Sequence, residues 1–149
     1  MKPTAKVILV TLVVAILGFL TEPNGPLGFF WRPDPGFPKP EGARLAAFMF
    51  LGAIEAMALG LGVSFLLFGY STLKANSQVS ESMTRGTHLA ITWLLVNWWA
   101  HDSLHQHNGM ALDGLLGIEY VFHFTLIVSG LIVARFFLAV VRAPASASP

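Results

Sequence analysis

The stretch from residue 43 to residue 70 reads ARLAAFMFLGAIEAMALGLGVSFLLFGY, and beyond Arg44 only Glu55 carries a charged side chain in it. As an α-helix this stretch would extend about 42 Å, which exceeds the roughly 30 Å hydrocarbon core of a bilayer. It therefore predicts a transmembrane helix that is tilted or projects beyond the lipid. Gly52, Ala56 and Gly60 are spaced four residues apart, and small residues at this spacing predict close packing of a neighbouring helix.

Three further segments predict helices of the same kind, at residues 4–20, 86–105 and 114–141. None of them alternates with the period of two that marks a transmembrane β-strand. The sequence therefore predicts an all-α membrane protein with four transmembrane helices in an antiparallel bundle. This bundle forms a single domain over residues 1–142, followed by a disordered Ala/Ser/Pro tail at 143–149.

The segment at 86–105 is the most polar of the four. Its apolar run covers only 86–100, so it spans the bilayer only if its helix continues back towards Ser80 or forward through His105. Trp93, Trp98 and Trp99 lie near its end, and tryptophan at the end of a span is typical of the aromatic belt at a membrane interface.

The first segment has Lys2 just before it and Lys6 near its start, and a secretory signal peptide also combines a basic start with a hydrophobic middle. The residues after it, 21–24, lack a small-x-small cleavage pattern, so we expect a retained helix. An inside N-terminus places six basic residues on the cytoplasmic side, namely Lys2, Lys6, Lys74, Arg85, Arg135 and Arg142, and only three outside. This bias predicts that both termini are cytoplasmic. The short loops and the proline-rich outer loop at residues 22–42 favour a multi-pass protein of a bacterial inner membrane.

The composition excludes several classes of function. Of the 149 residues, 54% are hydrophobic and 11% are charged, and the formal net charge is +1. This balance lacks the basic surface of a nucleic-acid-binding protein, and we expect the lipid bilayer to be the main partner. Since the chain has no cysteine, it forms no disulfide, thiolate metal site or iron–sulfur cluster from its own residues.

Ionisable residues inside the predicted spans are few, and each is costly at membrane depth unless it is paired, hydrated or neutral. Apart from the basic residues Lys6, Arg44 and Arg135 towards the ends of their spans, they are Glu55, His88, Glu119 and His123. The outer connection between the third and fourth helices adds His101, Asp102, His105, His107 and Asp113. Four of the five histidines therefore fall between residues 101 and 123, which makes this region the main candidate for a functional site.

Helical spacing brings part of this region together. Residues four apart share a helix face, so His101 pairs with His105 and Glu119 pairs with His123. A tight turn at 108–109 would make the two helices antiparallel neighbours. Imidazole and carboxylate groups suit copper, iron or zinc. The predicted metal ligands are His101, Asp102, His105, Glu119 and His123, with His107 and Asp113 as possible further ligands.

Other interpretations of these residues stay open. A haem held by His88 and His123 is disfavoured, because the two residues lie at different depths in the bilayer. The polar residues would also suit hydrogen bonds between helices in an accessory subunit of a larger membrane complex. Buried Glu and His are also used in proton or ion translocation. We expect a metal-binding membrane protein with a redox or metal-handling role, and whether it is an enzyme stays open.

Overall fold

The computed structural model describes residues 2–31, 35–36, 39–108 and 112–142, except the side chains of Phe30 and of residues 112–115. These residues form four long helices, α1 (Pro3–Thr21), α2 (Gly42–Ala75), α3 (Glu81–Asn108) and α4 (Leu112–Arg142), and a short 3-10 helix at Gly28–Trp31. All four helices extend beyond the predicted spans at both ends. The tail at 143–149 lies outside the described residues.

Local sequence explains where several helices begin and end. Pro3 occupies the first turn of α1, where its missing N–H costs no hydrogen bond. Helix α2 is capped at its C-terminal end by Asn76, whose backbone N–H and side-chain amide both donate to the Thr72 carbonyl. Helix α3 begins after Ser80, whose hydroxyl accepts a hydrogen bond from the Met83 N–H. Helix α3 therefore extends beyond the predicted segment 86–105 at both ends, and this gives it enough length to span a bilayer.

The helices pack in chain order, α1 on α2, α2 on α3 and α3 on α4. Gly60 of α2 lies against the backbone of α1 at Thr11, and Gly62 lies against Leu95 and Val96 of α3. Because a larger side chain at either glycine would collide with the neighbouring helix, these positions set the close approach of α2 to both neighbours. Close packing at Gly60 was predicted from the spacing of small residues in α2.

Polar side chains form much of the interior between the helices. The Thr11 and Ser64 hydroxyls hydrogen-bond at 2.8 Å between α1 and α2. Helix α3 buries a polar series consisting of Thr84, Thr87, His88, Thr92, Asn97 and Ser103. Leucine, isoleucine, valine and phenylalanine side chains are exposed along α1, α2 and α4. A surface with this much exposed apolar area suits lipid contact.

Among the described residues, α1, α2 and α4 are long and apolar enough to cross a membrane, which is one helix fewer than the four predicted. Helix α3 has the length, but its polar series lowers its hydropathy. Those polar residues are buried in the protein, so the average hydropathy of α3 understates how well it suits the middle of a bundle.

Candidate metal centre between α3 and α4

The facing sides of α3 and α4 bring together a group that we call the histidine cluster, formed by His101, His105, Glu119 and His123. His101 and His105 lie one turn apart on α3, and their ring centroids are 4.5 Å apart. Glu119 and His123 lie one turn apart on α4, and the His123 ring centroid is 5.5 Å from that of His101. The spacing of four residues predicted both pairs, and packing of α3 on α4 unites them.

The Glu119 carboxylate lies at the centre of the cluster. Its Oε1 is 3.2 Å from His101 Nε2 and 2.7 Å from His105 Nε2, and its Oε2 is 3.4 Å from His123 Nδ1. The His101 and His105 Nε2 atoms are themselves 3.2 Å apart. One carboxylate thus contacts three imidazoles that come from two helices.

These distances are close to those of a metal coordination shell. A tetrahedral ion with bonds of about 2.0–2.1 Å places neighbouring ligand atoms about 3.3–3.4 Å apart. One ligand atom each from His101, Glu119 and His123 lies within 4.8 Å of the other two, and these three residues form the group that could hold a metal ion among the described residues. His105 Nε2 offers a fourth donor at 3.2 Å from His101 Nε2.

Hydrogen bonds alone leave part of the cluster unsatisfied. Glu119 Oε1 is buried and accepts no hydrogen bond, although two imidazole nitrogens lie within 3.2 Å of it. A short distance without alignment is a poor hydrogen bond, because such bonds weaken steeply as they bend. A cation would bind the carboxylate oxygen and the ring nitrogens directly and would need no aligned N–H groups. The convergence of these ligand atoms on Glu119 therefore suits an ion.

The cluster has a buried side and an open side. The exposed fraction of the side chain is 15% for His101 and 18% for Glu119, but 36% for His105 and 61% for His123. His123 Nδ1 also lies 2.8 Å from the Glu119 backbone carbonyl, and it would exchange this hydrogen bond for a metal bond. An ion or a small ligand can therefore approach past His105 and His123.

Asp102, another predicted ligand, does not contact Glu119 and lies beside the opposite nitrogen of the His101 ring. Its Oδ1 lies 3.7 Å from His101 Nδ1, the ring nitrogen that Glu119 does not contact. At this distance the half-exposed carboxylate makes an ion-pair contact but no hydrogen bond to the ring. The Asp102 carboxyl also lies close to that of Glu55 in α2.

The two possible further ligands are not part of the cluster as described. His107 is exposed, and its Nδ1 hydrogen-bonds to the backbone carbonyl of Trp31. The Asp113 side chain lies outside the described residues.

His88 has a structural role near the opposite end of α3. Its Nε2 lies 2.9 Å from the Phe65 carbonyl, and its ring packs between Phe65 and Tyr70. His88 is thirteen residues before His101, which corresponds to about 20 Å along the helix axis, whereas His101 touches His123. This separation does not fit a haem held by His88 and His123.

Glu22 is a buried polar residue that the sequence did not single out. It follows α1 directly, has an exposed fraction of only 5%, and its Oε1 accepts no hydrogen bond. Burial raises the pKa of its carboxyl to about 7. Its position after a predicted span and within a proline-rich loop gave no signal of burial.

No protein-family model, curated protein or solved structure matches this chain. The functional argument therefore depends on the residues and their geometry.

Proposed function

We propose that this protein is an integral membrane protein that binds one transition metal ion in the histidine cluster. The observation that carries the proposal is the convergence of imidazole nitrogens from His101, His105 and His123 on the Glu119 carboxylate. Three nitrogens and a carboxylate oxygen suit zinc, copper or iron, and thiolate ligands are absent from the sequence. The role is redox chemistry or metal handling.

The proposed topology has four transmembrane helices in an antiparallel bundle with both termini in the cytoplasm, as a single multi-pass domain of a bacterial inner membrane. The excess of basic residues in the predicted cytoplasmic segments supports this direction. The histidine cluster would then lie near the outer surface, where it can exchange metal with the extracytoplasmic space.

The cluster's geometry favours metal binding over the alternatives from the sequence. In a purely structural subunit, hydrogen bonds between the helices would leave Glu119 Oε1 buried without a hydrogen bond, whereas a bound cation would satisfy it. A route for protons or ions across the bilayer would extend towards the other end of α3, where His88 is held by the Phe65 carbonyl.

Metal content tests the proposal directly. The full chain is extracted in mild detergent without chelators, its metals are quantified, and its visible spectrum is recorded. It is then stripped of metal and titrated with zinc. We expect about one metal ion per chain, and at least a hundredfold weaker zinc binding in the double variant His105→Ala/His123→Ala. His107→Ala is the matched control, because it removes a nearby histidine that bonds to Trp31.

Two outcomes would contradict the proposal. Stoichiometric zinc binding of unchanged affinity in the double variant would show that the histidine cluster does not hold the ion. A Soret band in the extracted protein would indicate haem, and the pairing of His88 with His123 would have to be reconsidered.

A further inference from the structure

A cavity of about 660 Å³ lies between the beginning of α1 and the end of α2, far from the histidine cluster. We call it the polar pocket, because five of its lining residues carry a hydroxyl or an ammonium group. They are Thr4, Lys6, Tyr70, Ser71 and Thr72. Lys6 is exposed, and the ion pair that lysine and arginine side chains form among the described residues joins Arg85 to Glu81 instead. The Lys6 ammonium is therefore available to an anion.

The carboxylate that borders the polar pocket already has a basic partner. The Tyr70 hydroxyl donates to Glu81 Oε1 at 3.4 Å. The same oxygen lies 2.6 Å from Arg85 Nη2, so the arginine compensates its charge. Lys6 thus leaves the polar pocket with a positive charge, which complements an anionic group.

A second cavity, which we call the apolar cleft, continues from the polar pocket along α2. It has a volume of about 340 Å³ and shares Val7, Phe68 and Thr72 with the polar pocket. Its walls include Phe65 of α2 and Leu95 of α3. The cleft follows α2 from Thr72 to Leu61, a distance of about 16 Å along the helix axis. This is about half of the roughly 30 Å hydrocarbon core, which is the depth of one leaflet of a bilayer.

The one hydroxyl within the apolar cleft away from the polar pocket is already used. Ser64 donates to the Val7 carbonyl at 3.1 Å and hydrogen-bonds to the Thr11 hydroxyl at 2.8 Å. Ser64 therefore needs no polar ligand, and the cleft suits a hydrocarbon chain.

The polar pocket lies at the level where headgroups are expected. Helix α1 begins at Pro3 and is long and apolar enough to cross a membrane, so its first turns meet the boundary of the hydrocarbon. Lys6 is in this region, and a lysine side chain can extend from the edge of the hydrocarbon to the headgroups. The polar pocket and the apolar cleft thus have the order and the depth of the headgroup and the chain of one lipid.

We propose that the polar pocket and the apolar cleft together bind one phospholipid with an anionic headgroup. Lys6 and the hydroxyls of Thr4 and Thr72 contact the headgroup, and one acyl chain lies in the cleft against Phe65 and Phe68. Lipid around the rest of the protein covers exposed apolar side chains and needs no lysine, so dependence on charge distinguishes the bound lipid from it.

The experiment is native mass spectrometry of the full chain, freed of lipid in mild detergent and titrated with phosphatidylglycerol or with neutral phosphatidylcholine of the same acyl chains. We expect one phosphatidylglycerol per chain, bound at least tenfold more tightly than phosphatidylcholine. Lys6→Gln should lower the affinity for phosphatidylglycerol to that for phosphatidylcholine. Lys74→Gln is the matched control, because Lys74 is an exposed lysine in the last turn of α2 that lines neither cavity.

A second pair of variants tests the acyl chain. Val7→Trp places a large side chain where the two cavities join, so it should weaken phosphatidylglycerol binding at least tenfold. Ile8→Trp is its control, because Ile8 is the next residue, is exposed and lines neither cavity. Circular dichroism and elution volume in detergent verify that each variant is folded.

Four results would overturn the lipid site. They are equal affinity of the wild-type protein for the two lipids, unchanged phosphatidylglycerol binding in Lys6→Gln, unchanged binding in a folded Val7→Trp, and binding of inorganic phosphate alone as tightly as phosphatidylglycerol. The last result would identify a site for a free anion. None of them would affect the zinc site.

Discussion

Helix α3 carries two different groups on its two sides at the same level, and consecutive residues separate them. His101 contacts Glu119 on α4, while Asp102 contacts Glu55 on α2. The α4 side is rich in nitrogen donors and open past His123, whereas the α2 side contains only carboxylates, with Glu22 buried among the helices. Consecutive residues of one helix turn thus have different surroundings, with imidazoles and a carboxylate on one side and carboxyl groups alone on the other.

The two sides meet where His101 Nδ1 lies 3.7 Å from Asp102 Oδ1. If the account is correct, a substitution on one side should change zinc binding or stability there and leave the other side in place. The predictions below test this separation, from the largest expected effect to the smallest.

Glu119→Gln should have the largest effect. Glu119 contacts three imidazoles, and a neutral amide offers one weak acceptor in place of a charged ligand, so zinc affinity should fall at least a hundredfold. Competition with a chromogenic zinc chelator measures this loss. Tyr120→Phe is the matched control, because Tyr120 is the next residue and its side chain is exposed. This variant should bind zinc as the wild-type protein does. Unchanged zinc affinity in Glu119→Gln would remove Glu119 from the site.

Glu22→Gln should stabilise the protein at high pH when a chelator is present. The pKa of Glu22 rises from 4.5 to about 7 on folding, so the fold favours the protonated acid. Ionisation therefore costs stability progressively between pH 4.5 and pH 7, and the full cost of about 3 kcal/mol applies above pH 7. The neutral amide avoids this cost.

Thermal melting in detergent at pH 4 and pH 8 measures the effect of Glu22→Gln. The variant should melt above the wild-type protein at pH 8, and the difference should vanish near pH 4. Equal melting temperatures at pH 8 in chelator would show that the Glu22 carboxylate is not held in a buried position.

Gly52→Ala should have a smaller effect that is specific to the carboxylate side. An added methyl group would collide with the Glu22 carboxylate, and overpacking of this kind costs about 1–3 kcal/mol. Zinc binding should persist, because Gly52 lies outside the histidine cluster. Gly130→Ala is the matched control, because a Cβ at Gly130 meets nothing within 4 Å. Equal melting temperatures for the two variants would contradict the packing of Glu22 on Gly52.

The histidine cluster could be predicted because each of its two pairs of residues lies within one helix. A spacing of four residues places His101 beside His105 and Glu119 beside His123 wherever the helices form. Asp102 was expected among the ligands, but one residue further along a helix turns the side chain by about 100°. Which neighbour it then meets depends on how α3 is rotated against α2, and the sequence does not contain that information locally.

Residues whose partners are distant in the chain were harder to predict. Trp93, Trp98 and Trp99 were expected to form an interfacial belt, and nothing in the sequence indicated their hydrogen-bond partners: the Trp99 indole N–H donates to the Gly18 carbonyl of α1 at 3.0 Å. The Trp93 indole donates to the Thr125 hydroxyl of α4, whereas Trp98 is exposed. Burial of Glu22 likewise depends on the approach of α2 at Gly52, 30 residues away in the chain.

The measurement that tests the central claim most directly is an X-ray absorption spectrum at the zinc edge, recorded on protein loaded with one equivalent of zinc. The account predicts nitrogen and oxygen neighbours at about 2.0–2.1 Å with the outer-shell scattering of bound imidazoles. That imidazole signal should be lost in His105→Ala/His123→Ala. A spectrum without imidazole scattering in the wild-type protein, or one that is unchanged in the double variant, would contradict a metal centre at the histidine cluster.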